Sequence, residues 1–367
     1  MKLLEIKPAD AEQAGFFALS ERVHANDPHF IPAGRAAAAS MLHDPDFAGR
    51  QAVFMLERKG ALQARCVARL GTSSDTGTIG FFEAIDAPDA CRLLLSRAER
   101  WLYRQGIRRV LGPMDGDTWH AYRFATGLNT DSEAPFLKEP WNPPYYPMLW
   151  EACGYTLVDK YFSSRISDPA RAADRLMPYR RRVERQGYTF RKINKNCLTR
   201  ELDLMYSLAV RIFQQNPHFT AISRASFLRL YAGIRPLIQQ GLCQFCCAPN
   251  GQEIGFVFGY PDYADAVRNM RGGRGPLAML KFLRGRRLAT RVCIKSLGCL
   301  PDYRGTGVGP ALMALAFEQT SACGYDEALM CLMHEANDSR RLDGGASEPF
   351  RQYALYQKLL NLGELQQ

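Results

Sequence analysis

Residues 300–313, LPDYRGTGVGPALM, place one arginine and three glycines between an apolar run and a segment of helical spacing. Glycine-rich loops ahead of helices commonly hold phosphate, so the spacing has to be weighed against each kind of loop. A dinucleotide loop needs G-x-G-x-x-G; here the glycines run G-x-G-x-G, and no ribose-binding acid follows a matching βαβ unit. A Walker loop closes on Gly-Lys-Ser/Thr, whereas Pro310 follows the last glycine. What remains is a run of backbone N–H groups, unobstructed by side chains, facing an anion at the positive end of a helix.

Working outward, RVCIKSLGCL (291–300) reads as a strand, GPALMALAFEQTSACG (309–324) as a helix and DEALMCLMHEAN (326–337) as the next strand. FRQYALYQKLLNLG (350–363) reads as the last helix. Upstream, ELDLMYSLAVRIFQQN (201–216) and RASFLRLYAGIRPLIQQG (224–241) have helical spacing, and LCQFCCAPNGQEIGFVFGYPD (242–262) is a hairpin turned at Asn250-Gly251. The N-terminal half gives the same order. It has a hairpin over 52–71 turned at Lys59-Gly60, a strand TIGFFEAI (78–85), a helix from Pro88 to Gly106, and a strand IRRVLGPM (107–114). A short helix in YYPMLWEACGY (145–155) and a strand TLVDKYFSSRI (156–166) complete it. The repeated order predicts an α/β (α+β) chain of two units, 1–165 and 166–367, each a mixed, mostly antiparallel twisted sheet flanked by helices.

A strand, an R-G-x-G-V-G loop, a helix, a strand, and then an Asn and a Tyr-bearing segment together resemble the acyl-CoA site of the GNAT superfamily of N-acyltransferases. Arg304, Gly307 and Gly309 match its Arg/Gln-x-x-Gly-x-Gly/Ala pattern, and the likeness covers most of residues 200–360. YYPMLWEACGY is similar to the way units of that family close, but the counterpart loop of the first half, EAIDAPDAC, is acidic and lacks the glycine pair. The resemblance therefore implies a tandem GNAT chain whose C-terminal copy holds acyl-CoA, with the N-terminal copy shaping the acceptor pocket or the domain interface. It implies that Arg304, Gly305, Thr306, Gly307, Val308 and Gly309 grip the pyrophosphate, that Gly298 and Leu300 pair with pantetheine, and that Asn337 belongs to the cofactor site. It puts Tyr356, with Tyr353 one turn earlier, on the last helix as the leaving-group acid. For the base, the resemblance implies a Glu or a water chain on the central strands; Glu335 and His334 lie on opposite faces of one strand, so only one can face the pocket, and Asp262, with Asp265 nearby, would meet the acceptor amine as a charge. Direct attack of an amine on a thioester needs no covalent enzyme intermediate, so no cysteine is given a nucleophile's part.

The bulk composition agrees with this frame. A chain of 367 residues with 47% hydrophobic content can bury more than one core. No apolar run approaches the roughly 18–20 residues of a membrane span, so a soluble, cytoplasmic protein without a membrane partner is expected. The 11 cysteines are scattered, and CQFCC (243–247) has no second pair at zinc spacing, so strand packing and no metal are expected. The formal charge of +10 calls for an anionic partner, and the cations cluster at 165–200 and 268–291. Three donors fit: acyl-CoA, an acidic acyl carrier protein, or aminoacyl-tRNA as in the Fem-type transferases, which the tandem layout distantly resembles. The acceptor is expected to be a primary amine on a small metabolite. Asp117, Trp119, His120, Tyr122, Arg123, Glu139, Trp141, Asn142 and Tyr145 crowd two Pro- and Gly-rich loops, which either bind a ligand or pack a long connection over the core.

Overall fold

The computed structural model describes every residue except 33–34, 72–74, 130–131, 274, 344, 362 and 364–367. Two compact units divide the chain: Met1–Lys160 with Val267–Met279 and Gln352–Gln367, and Tyr161–Ala266 with Leu280–Arg351. The end of the chain, however, belongs with the N-terminal half.

The first half runs β1 (Lys2–Ile6), α1 (Ala18–Val23), α2 (Arg35–Leu42), β2 (Gln51–Arg58), β3 (Ala61–Leu70), β4 (Thr76–Ala84), α3 (Pro88–Arg104) and β5 (Arg109–Gly112). It continues with β6 (Phe124–Thr126), α4 (Tyr146–Glu151) and β7 (Thr156–Ile166). The second half runs α5 (Pro169–Arg185), β8 (Thr189–Lys192), α6 (Leu198–Phe213), α7 (Arg224–Tyr231), β9 (Cys243–Cys247) and β10 (Glu253–Pro261). After these come α8 (Ala264–Asn269), α9 (Pro276–Gly285), β11 (Arg291–Cys299), α10 (Val308–Ala322), β12 (Glu327–His334) and β13 (Glu348–Leu359).

In the N-terminal unit the strand order is β1-β2-β3-β4-β5-β13, with β6 on β13. Only β4 and β5 are parallel, joined by α3, as a right-handed crossover requires. The α3 face of this sheet buries Phe54, Leu94, Leu95, Leu102, Trp150 and Tyr356, while Phe16, Leu42, Val53, Met55 and Val67 form the other core. The C-terminal unit repeats the plan as β7-β12-β11-β10-β9-β8, with β11 and β12 parallel and joined by α10. Helix α10 is apolar nearly all round because it is covered on both sides, by the sheet and by α5. The mixed, mostly antiparallel sheets flanked by helices are those the sequence predicts.

One element is corrected. FRQYALYQKLLNLG is not a helix; Glu348–Leu359 is β13, pairing Tyr356 with Gly112 and Leu359 with Arg109. Tyr353 and Tyr356 are spaced like one helical turn, but β13 is a central strand buried on both faces, so no period of two shows in its sequence. Its partner β5 lies some 240 positions earlier, and no local signal reports such pairing.

Candidate functional site

The loop of residues 300–309 joins β11 to α10. Pro301–Tyr303 form a short 3-10 turn, and Gly305 and Gly307 follow with φ of +76° and +99°, which an L side chain enters only at a cost. Gly307 caps α10, and the first helical turn then contains Val308, Gly309 and Pro310. The N–H groups of Gly305, Thr306, Gly307, Val308 and Gly309 have no hydrogen-bond partner among the described residues, and Pro310 has no N–H to satisfy. Five consecutive donors without a partner among the described residues thus lie at the positive end of a 15-residue helix.

The strand leading into this loop is kinked. Between Phe258↔Ser296 and Gly259↔Ile294 the register of β10 and β11 shifts, leaving Lys295 as the extra residue of a β-bulge. Parallel pairing of β11 with β12 stops at the same point, with Ile294↔Met330, although β11 runs on to Cys299 and β12 to His334. Past the bulge the side of β11 that faces β12 has no strand register. On its other edge β12 stays paired to its end, with Met333 and His334 opposite Phe162 and Tyr161 of β7. An extended ligand chain lying there would complete the sheet and bring its anionic end to the open donors.

Most of the expected contacts move when placed in this geometry. Leu300 donates its N–H to Ile254 O at 2.8 Å, so by alternation Gly298 also turns its backbone groups toward β10. The backbone open toward β12 belongs to Leu297 and Cys299, not to Gly298 and Leu300. Gly298 is glycine for a packing reason: a Cβ there would come within 2.5 Å of Ile212 Cγ2 on α6. The Arg304 guanidinium is spent on α6, donating from Nη1 to Gln215 Oε1 at 2.6 Å and from Nη2 to the Ile212 carbonyl at 2.9 Å. It secures the loop from behind. Thr306 does the same from within, its hydroxyl donating to Tyr303 O at 2.7 Å. Asn337 is exposed and caps the turn that follows it, accepting from Ser339 N at 3.1 Å.

The carboxylates and tyrosines separate. Asp262 is buried, bonded by Arg291 Nε at 2.7 Å and by Ala264 N at 3.1 Å, which makes it a brace between β10 and β11. Glu335 lies just past β12 and is exposed, while His334 is half-buried, its Nδ1 accepting from Ala336 N. Because β11 and β12 are parallel, Glu335 and the glycine loop emerge at the same edge of the C-terminal sheet. Tyr353 and Tyr356 belong to the other unit. The Tyr353 hydroxyl donates to Glu139 Oε1 at 2.5 Å and Tyr356 to Glu151 Oε1 at 3.1 Å, both from buried positions on β13. Burial, with the Glu151 carboxylate adding to it, holds the Tyr356 phenol well above its ordinary pKa. Without the helix that the resemblance supposed, neither tyrosine stands where a leaving-group acid was expected.

The aromatic loops of the N-terminal unit mostly serve themselves. Asp117 accepts from the backbone of Trp119 and His120 and sits 2.7 Å from His120 Nδ1; Asn142 bonds both backbone groups of Ala125; Trp141 donates to Asp27; Tyr145 donates to Ala84 O. The counterpart of the open edge is filled here. β4 carries its own bulge at Phe81, with φ of +48°, and its pairing with β5 ends at Thr78↔Leu111. Met114 N then bonds Ile79 O and Asp115 Oδ1 accepts from Phe81 N at 2.6 Å, while a Cβ on Gly80 would meet Met114 O at 2.2 Å. The chain itself occupies the slot.

Sequence reading missed α5 as an element of the site. Val183 and Tyr179 on α5 approach Gly307, at 3.5 and 3.9 Å from where a Cβ would stand. The signal was present: Asp168 caps at Arg171 N, Pro169 opens the helix, and Ala172, Leu176 and Val183 share a face. The bulge at Lys295 has no comparable signature.

Two units with this strand order, the parallel central pair and the strand-loop-helix connection define the GNAT fold in tandem architecture, and solved structures share it. No protein-family model matches the chain. The chain is similar over 98% of both chains, with a TM-score of 0.55 and 11% identity, to a tandem GNAT protein from the clavulanic acid biosynthesis pathway. It is also similar to a probable N-acyltransferase from Enterococcus faecalis V583, with a TM-score of 0.57 and 10% identity, over 98% of this chain and 72% of that one. Among curated proteins it resembles Protein YghO of Escherichia coli K12, at 22% identity over 334 residues that span 83% of this chain and 81% of that protein.

Proposed function

We propose that the C-terminal unit is an N-acyltransferase that takes an acyl group from a pantetheine thioester, acyl-CoA foremost, and transfers it to a primary amine of a small metabolite. The observation that carries this reading is the conjunction of five N–H groups over 305–309 that have no partner among the described residues with a kinked strand whose register with β12 stops at Ile294, short of Leu297 and Cys299. A pyrophosphate suits the first feature and the amide-bearing pantetheine arm the second. Leu297 and Cys299 would pair with the arm, and Gly305 to Gly309 would take the pyrophosphate. That assignment favours CoA over an acyl carrier protein, whose single phosphate would leave donors unused. The basic runs support aminoacyl-tRNA, with Tyr179 exposed among the arginines of α5, but that reading leaves the glycine loop without a part.

The chemistry is direct. A neutral amine attacks the thioester carbonyl, the C–S bond breaks, and the amine's proton ends on the departing thiolate. Burial holds the Cys293 and Cys299 thiols above their ordinary pKa, which suits them as wall and not as nucleophile. Glu335, exposed at the loop's edge of the sheet, is the carboxylate we assign to receiving the amine. Calorimetric titration of one preparation with CoA, acyl carrier protein and aminoacyl-tRNA tests the donor. CoA binding that persists at high salt is expected. Absence of CoA binding together with salt-sensitive tRNA binding would overturn the assignment.

A further inference from the structure

Helix α9 reverses the usual arrangement of a surface helix. Toward the protein it turns Ala278, Phe282 and Gly285; Phe282 lies edge-on to Tyr263 with centroids 5.7 Å apart, and a Cβ on Gly285 would approach Ala266 to 3.1 Å. Outward it turns Leu280 and Leu283, with Leu277 and Met279 beside them and Leu288, 79% exposed, in the turn that follows. Of the eleven large hydrophobic side chains exposed among the described residues, these are five. Single exposed leucines are ordinary, but a cluster on one helix face marks a surface that is covered in use.

Charge identifies the cover. From residue 266 to residue 301 the sequence has nine Lys and Arg residues and no Asp or Glu. Four of the cations, Lys281, Arg284, Arg286 and Arg287, are exposed alongside the outward leucines. A polyanion such as RNA would engage the cations and leave the leucines in water. An anionic lipid surface satisfies both groups together: headgroup phosphates take the cations while the leucines enter the acyl boundary. At 10 residues α9 is far too short to cross a bilayer, and no described helix is long and apolar enough to do so, so its place is in the plane of the interface.

We infer that α9 and the turn after it, Leu280 to Leu288, form an interfacial anchor that lays the protein on anionic phospholipid. Flotation of the full chain with vesicles of phosphatidylcholine, with and without phosphatidylglycerol, tests this. Binding is expected with phosphatidylglycerol only and should weaken as salt rises. The double variant Leu280→Gln/Leu283→Gln should lose binding while keeping the wild-type melting curve, since both side chains already face solvent. Lys281→Gln should lower vesicle affinity by roughly fivefold, the weight of one cation at such a surface. A Leu283→Trp variant should shift its emission to the blue when anionic vesicles are added. No binding to anionic vesicles at low salt would overturn the inference. So would binding that the double variant leaves unchanged, because charge alone would then account for it. A double variant that changes the oligomeric state while the wild type ignores vesicles would show that a second copy covers this face instead.

Discussion

Gly307→Ala perturbs the anion cradle at a single backbone position. At φ +99° an L residue costs about 1–2 kcal/mol relative to glycine, while the added Cβ would meet Val183 Cγ1 at 3.5 Å and Tyr179 Cδ1 at 3.9 Å, which are ordinary contacts. The substitution therefore adds backbone strain without a clash. The chain can hold its conformation and lose that stability, lowering the melting midpoint of the C-terminal unit by roughly 2–8 °C. Alternatively it can relieve the strain by rotating the 306–307 and 307–308 peptides, which turns two of the five open N–H groups away from a bound anion. A hydrogen bond to a charged oxygen is worth about 1.5–3 kcal/mol, so losing even one weakens CoA binding by roughly 10- to 100-fold. Calorimetric titration with CoA and a thermal melt on the same samples separate the two outcomes. Gly324→Ala is the matched control: its φ is +83°, nothing lies within 4 Å of its Cβ position, and it stands at the opposite end of α10. If Gly307→Ala melts no lower than wild type, so that the strain has been relieved by rotation of these peptides, and still binds CoA with the same affinity as wild type and Gly324→Ala, the open amides of the loop are not the pyrophosphate site.

Three further outcomes follow from the same geometry. Tyr356→Phe removes only the hydroxyl that donates to Glu151, so it should cost about 1–2 kcal/mol in a urea melt and leave kcat within a few-fold; a drop of 10²-fold or more at constant CoA affinity would restore Tyr356 as the leaving-group acid. Gly298→Ala drives a Cβ to 2.5 Å from Ile212 Cγ2 and should destabilise the C-terminal unit by about 1–3 kcal/mol, a loss that an added Ile212→Val should partly recover. Burial of His24 opposes its charge, but hydrogen bonds to Asp27 and Glu83 outweigh that and raise its pKa. A raised folded-state pKa means stabilisation that is complete below the unfolded value of about 6.5 and is lost as pH climbs through the folded one. The melting midpoint should therefore fall as pH is raised from about 6 through that folded value, and His24→Gln should flatten the slope; equal slopes in the two proteins would remove His24 from the account.

Local chemistry was legible in the sequence and distant pairing was not. The turn at Lys59-Gly60, the run from Pro88 to Gly106 and the hairpin at Asn250-Gly251 each carry their own punctuation, and β2, β3, α3, β9 and β10 form where that punctuation directs. The glycine loop was legible for the same reason, since positive φ at Gly305 and Gly307 is a local demand. The Tyr353 and Tyr356 spacing misled because β13 takes its conformation from β5 and β6, residues far away in sequence. Alternation along β11 is a local property, but that Leu297 and Cys299, not Gly298 and Leu300, face β12 depends on the extra residue at Lys295, which carries no sequence signal.

The bulges account for why, of two units with one fold, only the second offers the features on which the proposed donor site rests. In both units the strand before the crossover helix is kinked, at Phe81 in β4 and at Lys295 in β11, and the parallel pairing stops before the kink, at Thr78 and at Ile294. A kink alone opens a gap; what enters it decides the function. In the N-terminal unit Met114 completes the ladder on Ile79, and Asp115 takes the Phe81 N–H that the bulge exposed. The loop ahead of α3, Ile85 to Ala87, has no glycine and uses the Ala87 N–H on Ile85 O. Asp115→Ala would therefore release only the Phe81 N–H, because Met114 N still bonds Ile79 O. In the C-terminal unit both halves are present together, and that coincidence, more than the glycine spacing by itself, makes residues 295–309 read as a site.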